Sequence, residues 1–188
     1  KKGKDIAERT GMALNYDESN KEWMLTYNDG AKDQQVRVAS ITTDQKKEDF
    51  IAQYNNAKAI MDGTKTQDGF EFGLKYDGTW HLSYNDGKTN RNINITSDMN
   101  TEKFIAEYNA MKSAVSALSG EEGISVGYKY GENGWTLILN NTEIGAGGIG
   151  DYNITFEYVE GEGGARDLVA RLSTGEEGGE DIVISLSD

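Results

Sequence analysis

The sequence contains no cysteine, no proline and a single histidine among its 188 residues. Without cysteine there is no disulfide, no thiolate metal ligand and no thiol nucleophile. Without proline the turns must draw on glycine, asparagine and aspartate, and 23 glycines are present to do so. Positive charge is also scarce: 19 basic against 32 acidic residues give a formal net charge of -13. A field of that sign excludes a nucleic-acid surface and disfavours an anionic membrane, since both are bound through cationic contacts. No apolar run approaches the roughly 18 residues of a membrane span, and no basic-then-apolar leader is visible. The chain opens Lys1-Lys2-Gly3-Lys4 without a methionine and so reads as processed or as a fragment.

What is present is a repeat. Trp23–Asp29 reads WMLTYND, Trp80–Asp86 reads WHLSYND and Trp135–Asn141 reads WTLILNN. A second pair follows the same order, FIAQYN at Phe50–Asn55 and FIAEYN at Phe104–Asn109. Two matches in one order identify tandem units.

Ahead of each tryptophan, apolar residues alternate: Met12, Leu14, Tyr16; Phe70, Phe72, Leu74, Tyr76; Ile124, Val126, Tyr128, Tyr130. That period predicts half-buried strands. The tryptophan strands continue it, with Trp23, Leu25 and Tyr27, or Trp80, Leu82 and Tyr84, on a core face covered by helices, and with His81 and Ser83 opposite. Asp77-Gly78 and Glu132-Asn133-Gly134 suit the intervening hairpins. Third strands are expected at Val36 and Val38, at Ile93 and Ile95, and at Ile154, Phe156 and Tyr158.

The period then becomes helical. Phe104, Ile105, Tyr108, Met111, Val115 and Leu118 form one stripe, and Phe50, Ile51, Tyr54, Ala57 and Met61 another. Asp44 is expected to cap one start, Asp98 or Thr101 the other, and Gly63 and Gly120 to close the ends.

The predicted fold is α+β: tandem β-β-β-α repeats, antiparallel meanders each covered on one face by an amphipathic helix, with a more β-rich third repeat. The phase becomes α-β-β-β if Asp5–Arg9 is the end of an earlier helix. The units are drawn at 1–63, 64–120 and 121–188, packed as one or two compact domains. In the third, the Asn140-Asn141 turn is read as stretched into a glycine-rich loop. Arg166–Leu172 is either helix or strand, and Ile182, Ile184 and Leu186 form a last strand.

The candidate sites are few. Gly145-Ala146-Gly147-Gly148-Ile149-Gly150 matches G-x-G-x-x-G, yet the alternating Ile154, Phe156 and Tyr158 follow it where a dinucleotide site needs a helix N-terminus. His81 has no second histidine to share a metal and no nucleophile motif, so it is read as a surface residue. Glu160–Gly164 and Glu176–Asp181 offer oxygen ligands without the ordered spacing of a calcium loop. Asp29 and Asp86 read as turn residues. No cofactor or metal is assigned. Where repetition fails, a candidate interaction loop remains: Asn140, Asn141, Thr142, Glu143, Ile144, Gly145, Gly147, Gly148 and Gly150.

Asn94-Ile95-Thr96-Ser97-Asp98 leading into Phe104-Ile105-Ala106-Glu107-Tyr108-Asn109-Ala110 resembles a strand-to-helix passage of flagellar cap proteins. The resemblance covers residues 94–110 and implies an extracellular appendage of bacterial or phage origin. The αβββ reading also looks like small tandem modules that bind or inhibit other proteins, by analogy of fold. The expected function is a non-catalytic structural or interaction segment of a larger extracellular assembly, such as a flagellum, bacterial surface or phage particle. Its partners would be other protein subunits, with self-assembly through a larger parent chain. The alternatives are a protein-binding or inhibitor module using an aromatic sheet face, and a carbohydrate-processing enzyme, which would need two carboxylates converging in a cleft.

Overall fold

A helix followed by a three-stranded meander occurs three times along the chain, and a fourth meander follows the third. The structure, a computed structural model, describes residues 1–41, 43–65, 69–120, 122–146, 153–173 and 181–185. The elements are α1 (Lys2–Thr10), β1 (Ala13–Asp17), β2 (Glu22–Asn28), β3 (Asp33–Arg37), α2 (Asp44–Thr64), β4 (Gly73–Tyr76), β5 (Trp80–Asn85), β6 (Asn90–Asn94), α3 (Thr101–Leu118), β7 (Val126–Gly131), β8 (Gly134–Leu139), β9 (Thr142–Gly145), β10 (Asn153–Glu160), β11 (Arg166–Ser173) and β12 (Ile182–Ser185). Among the described residues the strands form four antiparallel three-stranded meanders, in which each strand pairs only with its sequence neighbours. The fold is therefore α+β, as the periodicities predict. The chain divides into two compact units, Lys1–Thr101 and Glu102–Asp188.

The turns follow the Asx chemistry expected of a proline-free chain. Asn28 Oδ1 accepts from Gly30 N at 2.9 Å, and Asp29 Oδ1 accepts from Ala31 N and Lys32 N, each at 2.8 Å. The second copy repeats this closely: Asn85 Oδ1 accepts from Gly87 N at 2.8 Å, and Asp86 Oδ1 accepts from Lys88 N at 2.9 Å and Thr89 N at 2.7 Å. The Thr89 N–H, followed by the Arg91 guanidinium, holds Asp86 well below the usual carboxylate range. Both aspartates thus act as turn residues.

The phase of the repeat is helix first. Phe50 and Tyr54 of α2 lie on Trp80 of the following β5, and Phe104 and Tyr108 of α3 lie on Trp135 of the following β8. On the first sheet, Gly3 of α1 sits close enough to Leu14 and Val38 that an added Cβ would meet both at 3.2 Å. The start of α2 is capped by Thr43, whose hydroxyl accepts from Lys46 N, and Asp44 takes the first helical turn rather than the cap.

Charge fastens α1 to α2. Arg9 donates in a fork to Glu48, with Nη1 to Oε1 at 2.8 Å and Nη2 to Oε2 at 2.7 Å. Lys47 reaches Asp5 at 3.0 Å, and Lys2 reaches Asp44 at 2.9 Å. The Arg9 hydrogen bonds hold Glu48 down at about 2, against its ordinary 4.5. A depressed carboxylate contributes stability above its unfolded pKa and loses it as pH falls through the folded value. The clasp is therefore expected to loosen between about pH 4.5 and about 2. A carboxyl chemical-shift titration checks this: Arg9→Met should return the Glu48 midpoint toward that of a free carboxylate.

Two expectations for the third repeat are corrected. Asn140-Asn141 is a tight two-residue hairpin with φ of 44° and 69°, which asparagine tolerates better than most residues. Thr142–Gly145 then supplies the third strand, with Leu139 opposite Thr142 and Leu137 opposite Ile144. The segment holding Phe156 and Tyr158 instead opens a fourth sheet with β11 and β12. Arg166–Leu172, open between helix and strand, lies in the strand Arg166–Ser173. The last strand forms over Ile182–Ser185, and Leu186 lies outside the described residues.

Candidate functional site

One design recurs on three sheets. Each hairpin sets a tyrosine opposite the tryptophan: Tyr16 opposite Trp23, Tyr76 opposite Trp80 and Tyr130 opposite Trp135. The ring centroids of these pairs lie 5.2, 5.0 and 5.2 Å apart. On the second sheet Phe50 joins Tyr76 at 5.0 Å and Trp80 at 5.1 Å, while Tyr54 meets Trp80 at 5.1 Å. On the third, Phe104 joins Tyr130 at 5.0 Å and Trp135 at 5.3 Å, while Tyr108 meets Trp135 at 4.9 Å. Offset and edge contacts of this kind add to the area they bury. Burial pushes the phenols of Tyr54, Tyr76 and Tyr130 above their ordinary value.

A polar contact completes each filled socket. Gln53 Oε1 accepts the backbone N–H of Trp80 at 3.3 Å, and Glu107 Oε2 accepts that of Trp135 at 3.3 Å. These are the residues at which FIAQYN and FIAEYN differ. The helix motif and the tryptophan motif are thus the two halves of one socket.

The first socket is open. Trp80 and Trp135 are fully buried, but Trp23 is 52% exposed and Tyr16 is 41% exposed. This corrects the sequence reading that placed Trp23 on a covered core face. Leu25 and Tyr27 on the same strand are buried as expected, with Tyr27 meeting Trp80 edge-on at 4.9 Å. Within Lys2–Thr10, α1 meets the first unit's core through Ile6 rather than through an aromatic residue. Thr10 Oγ1 donates to Ile6 O as Thr64 Oγ1 donates to Ile60 O, and Ile6 and Ile60 are both fully buried. These matches align α1 with the last turns of α2.

Beside the second socket runs a groove of about 570 Å³, lined in part by Arg37, Lys46, Asp49, Gln53, Tyr76 and Asp77. Of its cations, Arg37 is already held by Glu22. His81, expected at the surface, is instead buried at 6% exposure, with Nδ1 3.6 Å from the Asp77 carboxylate. Its strand is buried on the Trp80 face, and on the other face His81 is buried and Ser83 half-buried, which their polar residue types conceal.

The candidate loop is only partly a loop. Asn140 turns inward: its Oδ1 accepts from Ser125 N at 2.6 Å and its Nδ2 donates to Gly123 O at 2.9 Å. Asn141 completes the hairpin. Thr142, Glu143, Ile144 and Gly145 are strand residues, and Glu143 pairs with Lys129 at 2.5 Å. Gly147, Gly148 and Gly150, with most of the G-x-G-x-x-G match, lie outside the described residues, as do residues 176–180 of the second acidic run. In the first acidic run, Gly161 N donates to Ala165 O at 2.8 Å to close the β10–β11 connection. Among the described residues no three Asp, Glu or His side chains gather as a metal site, and no helix is long and apolar enough to cross a membrane.

Comparison with protein-family models, with curated proteins and with solved structures returned no significant match.

Proposed function

We propose that the chain is a non-catalytic interaction segment of a larger assembly, in which the tandem αβββ units are scaffold and the Tyr16–Trp23 face is the contact surface. The observation that carries this reading is the contrast among three equivalent aromatic pairs, two covered by a helix and one open to solvent. Exposed Trp and Tyr side by side are the residue types that most often anchor protein contacts. The extracellular setting rests on the resemblance at residues 94–110, within which Phe104, Glu107 and Tyr108 serve as socket-filling residues.

Iodide quenching of tryptophan fluorescence tests the reading. One accessible component is expected, and Trp23→Phe should remove it while leaving the two buried tryptophans unquenched. A free protein with no iodide-accessible tryptophan would overturn the reading, and so would specific, saturable turnover abolished by a point mutation.

A further inference from the structure

We propose that Asn133 is a site of spontaneous covalent modification: its side-chain amide is lost to attack by the Gly134 backbone nitrogen, and the isoaspartate that results loosens the third aromatic socket.

Asn133-Gly134 is the one Asn-Gly dipeptide in the sequence, and it sits in the hairpin between β7 and β8, where Gly131 lies opposite Gly134. A glycine nitrogen is the one a preceding side chain reaches most easily, because no Cβ stands beside it. Asn133 is exposed at the tip of this hairpin, and loop tips are where backbone opens at least cost. The carboxamides of Asn28, Asn85 and Asn140 are held by backbone groups of their own turns, whereas that of Asn133 has no hydrogen-bond partner among the described residues.

The reaction consumes only water. The Gly134 nitrogen gives up its proton and bonds to Asn133 Cγ, the Cγ–Nδ2 bond breaks, and ammonia departs with that proton. Water then opens the five-membered imide at either carbonyl. Opening at Cγ yields aspartate; opening at the main-chain carbonyl yields isoaspartate, in which the chain runs through the side chain. The five Asp-Gly dipeptides form the same ring only from the neutral acid, a species depleted above about pH 4. Asp29 and Asp86 are bonded as carboxylates by N–H groups of their turns, and the Gly30 and Gly87 nitrogens already donate to Asn28 and Asn85.

Isoaspartate places one extra methylene in the main chain ahead of Gly134, at a seat with no slack. A Cβ on Gly134 would stand 2.5 Å from Glu107 Oε2, and the same oxygen accepts the Trp135 N–H at 3.3 Å. Glu107 is 7% exposed, and Trp135 is fully buried against Phe104 and Tyr108. Lengthening the hairpin shifts Gly134 and the Trp135 N–H against a carboxylate that cannot follow. Aspartate leaves the backbone unchanged and the seat intact. The socket is therefore expected to loosen as the molecule ages.

The test ages the 188-residue protein in mildly alkaline buffer beside a capped peptide of Gly131–Trp135. Peptide mapping by electron-transfer fragmentation, which distinguishes the two backbones, should find isoaspartate and aspartate at position 133 and the Asp-Gly sites unchanged. Asn133→Gln, whose imide ring would be one atom larger, should stop the release of ammonia. The fraction carrying isoaspartate, separated by ion exchange, should melt several degrees below the fresh protein, and the Asn133→Asp variant should melt with it.

An Asn133 that keeps its amide while the peptide converts fully would overturn the proposal. So would ammonia release that persists in Asn133→Gln. Isoaspartate at position 133 with unchanged melting would overturn the link to the socket, and an equal loss in Asn133→Asp would place the effect on charge instead of on the lengthened backbone and overturn it as well.

Discussion

Replacing Trp80 by alanine is expected to cost the Lys1–Thr101 unit about 3–5 kcal/mol. The side chain is fully buried and touches four other rings, Tyr27, Phe50, Tyr54 and Tyr76, at centroid distances of 4.9, 5.1, 5.1 and 5.0 Å. Those rings come from β2, α2 and β4, so truncation opens a cavity where three elements meet. A domain of this size holds about 5–15 kcal/mol in all. Its melting temperature should fall by at least about 12 °C, and its urea midpoint should drop with it. Trp80→Phe should recover much of the loss, because the buried indole Nε1 has no hydrogen-bond partner among the described residues to forfeit. Trp23→Ala, at the same place in the repeat, is expected to change stability by only about 0.5 kcal/mol. Equal costs at the two positions would show that the sockets are not covered and open as described.

Gly134→Ala is expected to destabilise the Glu102–Asp188 unit by about 2–4 kcal/mol, from two sources. Gly134 has a φ of 91°, where a side chain is strained. An added Cβ would also stand 2.5 Å from Glu107 Oε2, the atom that accepts the Trp135 N–H. Glu107 is only 7% exposed, so its carboxylate cannot swing aside without losing that bond in a desolvated setting. A double-mutant cycle separates the two sources. In a Glu107→Ala background the collision vanishes and the backbone strain stays, so Gly134→Ala should cost measurably less there. An unchanged cost would mean that the carboxylate does not need the room glycine leaves.

Periodicity was informative wherever a feature belongs to one element. The strands around Leu25, Leu82 and Leu137, the stripes of α2 and α3, and the NDG turns follow from alternation, helical spacing and Asx chemistry. Features set by what lies opposite did not follow. Alternation assigns Trp23 and Trp80 to the same face of equivalent strands but carries no information about whether a helix is there to cover it. The same gap explains His81, whose polar neighbours suggest a wet face although His81 itself is buried. The phase of the repeat was legible in principle. FIAQYN precedes its tryptophan, and the Gln/Glu exchange inside the motif tracks the change from Thr79 to Gly134 beside the indole backbone. The Asn140 hairpin was missed because a following glycine-rich run reads as loop, although Asn-Asn suits a tight positive-φ turn.

Among the described residues strands pair only with their sequence neighbours, which also shapes how quickly the molecule can form. Each ladder closes a short stretch of chain, so little search entropy is spent before contacts form, and rates are those of local hairpins and helices rather than of distant encounters. With no proline in the chain, the isomerisation that delays many refolding reactions by tens of seconds has no bond on which to act. Each sheet can therefore be completed as its own residues emerge during synthesis, without waiting for the next.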